Sequence, residues 1–357
     1  MMSESKEWCI KAPWGNIACI SWGIPQNRPV LMVHGYMDSA ATFIPIVKHL
    51  PDDYFYLAVD LPGYGKSDPF PVVISWGTEG GEPVLLMHGR QDSAATFFPL
   101  LALLPDVYHY VGLDLPGHGM SDGFPIGVAI TRFMNVVALD AVIKHLGWKH
   151  FTFIGHSLGV ELGLFYNAIY PNQIKKFIIF DPASSLQRIV IQDFPKFYYY
   201  YNNYYENYSK INNNDRVYSK QNALKAVMNA RSMTESQAEL ILSRNLKKIG
   251  DDQYRMSWDL RTRLMPPTIF PPEYYFQLFS KNCPPTLCIN ATKSLDFYVD
   301  GKETVNKLLA DLEKTVKNFT IIRVEGNHDF HFLHPERISE NVCSFLEKDF
   351  GDTKSKL

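Results

Sequence analysis

The chain has 357 residues, of which 46% are hydrophobic, 20% charged and 14% aromatic. This composition is typical of a globular protein with a sizeable core, and it excludes a disordered, collagen-like or coiled-coil chain. The formal net charge is −2, so no excess of either sign points to a nucleic-acid partner. Five cysteines without a C-x-x-C pair indicate a reducing compartment and no zinc or other metal site.

A repeat at an offset of 54 residues occupies the first third of the chain. Residues 21–71 and 75–125 align without a gap, and 29 of the 51 aligned positions are identical. Two copies are too few for a solenoid, which needs about three units. Each copy reads as strand, helix, strand and turn. In the first copy the predicted elements are buried strands at 30–33 and 57–60 and a helix over 41–50.

Beyond the repeat, predicted helices and strands alternate, which predicts a mostly parallel α/β sheet. The predicted elements are a helix over 130–146, a strand over 151–154, a helix over 158–170, strands over 177–180 and 286–290, a helix over 301–314, a strand over 320–324 and a last helix over 335–347. Residues 183–281 break this rhythm, with two amphipathic helices predicted over 222–232 and 234–248. We interpret 183–281 as a helical cap, 1–182 and 282–350 as the core, and 351–357 as a tail.

A Gly-x-Ser-x-Gly motif at 155–159 lies between a predicted strand and a predicted helix. This context predicts a nucleophile elbow, a sharp turn that exposes the hydroxyl of Ser157. A serine hydroxyl is a weak nucleophile at neutral pH and needs a base. His328, just after the last predicted strand, is the predicted base, and His331 and His334 are its nearby rivals.

The acid that orients the base is ambiguous in the sequence. The position expected after strand 286–290 holds Ser294, which is not a carboxylate. Asp296 lies two positions later, and Asp181 lies at the end of strand 177–180. Both follow the serine and precede the histidine. We place Asp296 first and keep Asp181 as the alternative.

An oxyanion hole needs two backbone N–H groups aimed at the developing charge. One is predicted to be that of Leu158, directly after the nucleophile. The other belongs to the loop after a His-Gly pair, which is Arg90 in the second copy and Tyr36 in the first. We favour Arg90 because the second copy leads directly to the elbow strand, and connections between neighbouring strands are short.

The chain resembles the α/β-hydrolase superfamily, and within it the serine hydrolase-like proteins. The motifs that carry this resemblance are Pro-Trp-Gly-Asn-Ile at 13–17, the His-Gly-x-x-Asp blocks at 34–38 and 88–92, Asp-Leu-Pro-Gly-His-Gly at 114–119, the elbow at 155–159 and Gly-Asn-His at 326–328. The resemblance implies an eight-stranded type of sheet, a cap over the site and hydrolysis of an ester-like bond. The family does not have the second strand–helix–strand block.

The function predicted from these features is a serine hydrolase that cleaves an ester or thioester bond of a small substrate through a Ser-His-Asp triad, without a cofactor. The aromatic stretch 194–205 favours an apolar substrate or, equally, a packed cap. Two alternatives stay open. One is a non-catalytic binding protein with a hydrolase fold, and the other is an epoxide hydrolase or haloperoxidase-like activity on the same scaffold.

The last three residues, Ser355, Lys356 and Leu357, match the address that the peroxisomal import receptor reads. The serine hydrolase-like group is associated with peroxisomes, which fits this tripeptide. We therefore predict a peroxisomal location and that receptor as a partner, with a cytoplasmic location as the alternative. The sequence has no apolar core of a signal peptide and no run of about 18 apolar residues, so no membrane span is expected.

Overall fold

A computed structural model of the chain describes residues 5–12, 15–35, 38–60, 72–124, 127–190, 192–213, 216–268, 270–294 and 299–351. It divides into two compact units, Met1–Pro71 and Val72–Leu357. The predictions made for Tyr36, for Asp296 and for the tripeptide at 355–357 lie outside the described residues and stay predictions.

The first unit contains one small mixed sheet. Its elements are β1 (Lys6–Ala12), β2 (Gly15–Trp22), β3 (Arg28–Val33), a 3₁₀ turn (Ala40–Phe43), α1 (Ile44–Val47) and β4 (Tyr54–Val59). The strand order is β1-β2-β4-β3, with β3 parallel to β4 and the other neighbours antiparallel. Trp22, Val47 and Tyr56 are buried between the sheet and the short helix.

The second unit is built on a seven-stranded sheet. Its strands are β5 (Val73–Gly77), β6 (Pro83–Met87), β7 (His109–Leu113), β8 (Phe151–His156), β9 (Ile174–Phe180), β12 (Thr286–Lys293) and β13 (Phe319–Asn327). The order is β13-β12-β9-β8-β6-β7-β5, and only β5 is antiparallel to its neighbour. The described residues contribute seven strands to this sheet of the expected eight-stranded type, and the N-terminal strand β1 pairs with β2 of the first unit's own sheet.

Helices cover both faces of this sheet, as parallel strands buried on both sides require. The second unit's helices are α2 (Phe98–Leu101), α3 (Arg132–Leu146), α4 (Leu158–Ile169), α5 (Ala183–Ile189), α6 (Phe194–Glu206), α7 (Tyr208–Asn212), α8 (Lys220–Arg231), α9 (Glu235–Asn245), α10 (Pro272–Ser280), α11 (Val299–Thr315), α12 (Phe330–Leu333) and α13 (Ser339–Glu347). One buried cluster joins α3, α4, α10 and α11 to the sheet, and a second joins α2 and α13 to it.

The segment 183–281, predicted to be a helical cap, contains α5 to α10 and a β-hairpin as well. Thr234 and Gln237 form the capping box that begins α9. The helix predicted over 234–248 ends at Asn245, because Leu246–Gly250 forms a strand, β10, that pairs with β11 (Gln253–Met256). The cap is therefore mixed rather than purely helical.

The two repeat copies adopt the same local arrangement in different surroundings. In the first, β4 pairs with β2 and β3, and in the second, β7 pairs with β5 and β6. The second copy also pairs through β6 with β8, whereas among the described residues β3 is an edge strand. Leu85 on β6 is 0% exposed, and the matching Leu31 on β3 is 64% exposed. The second copy is thus the one beside the strand that leads to Ser157.

Candidate functional site

Ser157 lies in the sharp turn between β8 and α4. Its backbone angles, φ 50° and ψ −115°, are outside the regions that L-residues normally occupy. Its N–H donates to the carbonyl of Phe180, 3.1 Å away at the end of β9. A side chain at Gly159 would clash with the carbonyl of Met87, so only glycine lets α4 approach β6 this closely. The sequence thus forces a strained turn that presents Ser157 at the carboxyl end of the sheet.

The structure brings His328 and Asp181 together at the ends of two other strands. Nδ1 of His328, directly after β13, lies 2.5 Å from Oδ2 of Asp181, directly after β9. The carboxylate is fully buried. Its other oxygen accepts from the N–H of Ala291 at 3.2 Å, and Oδ2 also accepts from the hydroxyl of Ser294 at 2.7 Å. This arrangement can fix the orientation of the imidazole and stabilise its protonated form.

Two further serines surround this pair. The hydroxyl oxygen of Ser184 lies 3.4 Å from each ring nitrogen of His328. The hydroxyl of Ser185 donates to the carbonyl of Ser157 at 2.9 Å and so supports the turn. Within the part of the chain that the structure describes, no hydrogen bond joins the hydroxyl of Ser157 to His328. No motif in the sequence marks Ser184 or Ser185 as part of the site.

The other histidines near the site lie in different environments. His156 is buried, and its Nε2–H donates to the carbonyl of His328 at 2.9 Å. His331 is buried beside Thr96, with Nε2 2.9 Å from the hydroxyl. Burial lowers the pKa of His156 well below its usual range and that of His331 to about 3, so both are neutral at pH 7. His334, the other predicted rival, is half-exposed on the surface. Of the three predicted bases, His328 is the one that contacts a fully buried carboxylate.

The loop after β6 packs directly against the serine turn. A side chain at Gly89 would lie 3.3 Å from the Cβ of Ser157, so the backbone of this loop is close to the nucleophile position. Arg90 follows in the same loop, and Leu158 begins α4 on the other side of Ser157. Both predicted oxyanion residues are therefore adjacent to the turn. That their backbone N–H groups are the two donors of the oxyanion hole stays a prediction.

Arg231, the last residue of α8 in the cap, contacts two loops of this region at once. Its Nε donates to Oδ2 of Asp329 at 3.0 Å, and one terminal nitrogen donates to Oδ1 of Asp329 at 2.6 Å and to Oδ2 of Asp92 at 2.9 Å. Burial would raise the pKa of Asp329, but the neighbouring guanidinium dominates and lowers that pKa to about 2. Sequence reasoning missed Arg231, because a basic residue at a helix end is typical of an exposed surface.

Replacing Asp329 with asparagine should lower the free energy of unfolding at pH 7 by about 3 kcal/mol, since it breaks a buried ion pair. The folded-state pKa is depressed, so the stabilisation is present above the ordinary value near 3.8 and is lost as the pH falls towards 2. Denaturant unfolding between pH 7 and pH 2.5 measures this. A difference between the two proteins that stays constant over the range would contradict the assignment.

Three ligand-type side chains near the site lie close enough to hold a cation. The ligand atoms of Asp92, His156 and Asp329 are within 4.8 Å of one another. Both carboxylates are already bridged by Arg231, whose fixed positive charge opposes a metal ion at the same place. These residues therefore fit an ion-pair network better than a metal site.

Comparison with known proteins agrees with this architecture. A family model described as alpha/beta hydrolase fold matches residues 28–72 and 82–335. A serine hydrolase-like protein from Danio rerio is 27% identical over 298 residues, which covers 78% of this chain and 85% of the relative. Serine hydrolase-like protein 2 from Homo sapiens is 24% identical over 299 residues, covering 76% and 89%. These relatives support a hydrolase.

Solved structures show the same fold. A hypothetical protein from Pseudomonas aeruginosa superposes with a TM-score of 0.64 at 21% identity, covering 78% of this chain and 93% of that one. A thioesterase domain from the curacin biosynthetic pathway has a TM-score of 0.58 at 15% identity, covering 95% and 99%. None of the described helices is both long enough and apolar enough to cross a membrane. The family match extends over most of the sequence, and the chain belongs to the alpha/beta hydrolase fold family.

Proposed function

We propose that this hydrolase cleaves an ester or thioester bond of a small apolar substrate, with Ser157 as nucleophile, His328 as base and Asp181 as acid. The observation that carries the proposal is the fully buried Asp181 carboxylate hydrogen-bonded to His328. Burying a carboxylate is costly unless it is paired and hydrogen-bonded, as Asp181 is by His328. Because of this contact we propose Asp181 as the acid in place of Asp296, which the sequence favoured.

The proposed reaction runs through an acyl-enzyme. The hydroxyl oxygen of Ser157 attacks the carbonyl carbon while His328 takes the proton, and the same imidazole returns that proton to the leaving alcohol or thiol. The N–H groups of Leu158 and Arg90 stabilise the oxyanion. Water then attacks the acyl carbon while His328 takes its proton, and the imidazole returns that proton to the oxygen of Ser157 as the acid leaves.

The first experiment is labelling of the full chain with a fluorophosphonate, which reacts quickly only with an activated serine. We expect one labelled site, at Ser157, and no labelling of Ser157→Ala. Ser184→Ala is the matched control, because Ser184 also lies beside His328. Mass spectrometry identifies the modified residue. Labelling that persists in Ser157→Ala and disappears in Ser184→Ala would contradict the proposed nucleophile.

A non-catalytic binding protein is the second candidate. It is favoured by the lack, among the described residues, of a hydrogen bond between Ser157 and His328. In free enzymes this bond is often long and tightens only when substrate is bound. A folded wild-type chain that neither reacts with the probe nor hydrolyses p-nitrophenyl esters of any acyl length from acetate to octanoate would support the binding protein. The same ester series defines the acyl chain that the enzyme prefers.

A further inference from the structure

We propose that Arg231 is a positioning residue that sets the spacing between the oxyanion loop and the base, and so makes a competent site depend on the docked cap. This inference rests on the proposed function. Asp92 lies two residues after Arg90, and Asp329 directly follows His328. One guanidinium from the cap therefore holds the loop of the oxyanion donor and the loop of the base together.

The geometry of the contact suits this role. A guanidinium is planar and rigid, so carboxylates that bind its nitrogens are held in a defined relative position. Asp329 is bound through both oxygens and Asp92 through one. The Arg231 side chain is only 19% exposed, and the Asp92 side chain 3%, so solvent screens these ion pairs little. A shift of about 1 Å in a catalytic group is enough to slow a reaction about 100-fold.

The charge of Arg231 also matters to the base. Without it, the buried carboxylates of Asp92 and Asp329 lose their counter-charge, and Asp329 directly follows His328. Uncompensated negative charge beside an imidazole favours its protonated form, so the acid limb of the pH–rate profile moves to higher pH. Among the described residues, the other titratable groups that face His328 are the carboxylate of Asp181 and the neutral rings of His156 and His331.

The cap makes a second buried arginine–carboxylate contact with the core, which serves as a control for that of Arg231. Arg244, at the end of α9, donates through Nε and a terminal nitrogen to the fully buried carboxylate of Asp114, at 3.0 and 2.6 Å. Asp114 also accepts from the N–H groups of Ala94 and Met120 within the second repeat copy. Arg231 and Arg244 thus make similar buried ion pairs between cap and core. Of the two arginines, Arg231 is the one that binds a carboxylate directly after the predicted base and another two residues after Arg90.

The test compares Arg231→Met, Arg231→Lys and Arg244→Met in the full-length chain. The second-order rate of fluorophosphonate labelling at Ser157 is measured from pH 5 to pH 9, together with the melting temperature of each protein. For Arg231→Met we expect labelling about 100-fold slower than wild type at pH 7. The acid limb of its pH–rate profile should shift upward by about one pH unit. Arg231→Lys keeps the charge but not the fork, so its rate falls while its acid limb stays in place.

Arg244→Met should lose melting temperature as Arg231→Met does, with a labelling rate within threefold of wild type and an unshifted acid limb. The proposal is overturned if Arg231→Met and Arg244→Met react equally fast, or if the acid limb of Arg231→Met does not move. If Arg231→Met does not fold, Arg231→Lys decides: a wild-type rate overturns the proposal, and a slow rate with an unmoved limb supports it. Failure of the proposed function is a separate result, seen as no labelling of the wild-type chain.

Discussion

Replacing Asp181 with asparagine is expected to lower the rate of ester hydrolysis and of serine labelling about 10⁴-fold. Asparagine has nearly the same shape, so the fold is retained. Its amide is neutral, does not stabilise the imidazolium that forms when His328 takes the proton, and favours the wrong tautomer of the ring. Steady-state hydrolysis of a p-nitrophenyl ester and the labelling rate at Ser157 measure the loss, and circular dichroism verifies the fold.

Ser294 makes this prediction sharper, because its hydroxyl lies 2.7 Å from the same oxygen of Asp181 that contacts His328. A carboxylate introduced there lies next to the base. In the Asp181→Asn background, Ser294→Asp should recover activity about tenfold to 100-fold. Ser294→Asn in the same background is the matched control and should recover nothing, since it adds the shape without the charge.

Asp296 is the rival acid, and the same assay tests it. If Asp181 is the acid, Asp296→Asn stays within threefold of wild type. The opposite pattern, with full activity in Asp181→Asn and a loss of several thousandfold in Asp296→Asn, would return the role to Asp296 and contradict the proposed triad.

Ser157 and His328 could be singled out from the sequence because each is marked by its immediate neighbours. Glycines on both sides of Ser157 are needed where α4 approaches the sheet, and the strand–turn–helix pattern around them is local. His328 follows a strand with a readable apolar run and the turn at Gly326. Such signals depend on a few adjacent residues, and a single sequence shows them.

The acid could not be chosen in this way, because its identity depends on which strand end is closest to His328. Asp181 and Asp296 both follow predicted strands in a suitable order along the chain. In the fold, β9 and β13 are both neighbours of β12, and the carboxylate after β9 reaches across to the imidazole after β13. That distance is a property of sheet order and twist, which no local pattern encodes. The contacts of Arg231 were missed for the same reason.

The cap illustrates a local conflict. The residues after Asn245 continue a helical pattern, and Lys247 and Lys248 are ordinary helix formers. They form a strand because a partner, Gln253–Met256, returns beside them after a tight turn at Asp251 and Asp252. Pairing with that partner outweighs the helix propensity of the segment, which amounts to only a few tenths of a kcal/mol per residue.

In the repeat, the residue pattern offers two nearly equal candidates for the strand beside β8, and only the connection to the elbow strand favours the second copy. Both copies carry the same strands, and their shared local topology follows from that identity. The second copy is in the seven-stranded sheet, in keeping with its shorter connection to the elbow strand. The energetic difference between the copies therefore lies in their surroundings. Substituting the same residue at matching positions of the two copies measures that difference.

Leu31 and Leu85 are such a pair, and substitution by aspartate is expected to be severe at Leu85 and nearly neutral at Leu31. Leu85 is 0% exposed within the central sheet, between β7 and β8. An unpaired charge there costs several kcal/mol in addition to the lost apolar burial, which is comparable with the whole stability of a domain. Leu85→Asp should therefore abolish the folded second unit. Leu31 is 64% exposed, and Leu31→Asp should change the free energy of unfolding by less than about 0.5 kcal/mol.

The alanine variants give the same contrast in proteins that still fold. Leu85→Ala should lower the free energy of unfolding by about 2–5 kcal/mol, as removal of a buried leucine does, and Leu31→Ala by less than about 0.5 kcal/mol. Urea unfolding followed by near-UV circular dichroism, with the labelling rate at Ser157 as an independent readout, measures both. Equal losses at the two positions would contradict the placement of the second copy, and a larger loss at Leu31 would mean that the first copy lies beside β8 in solution. Tyr36, and not Arg90, would then supply the second N–H of the oxyanion hole.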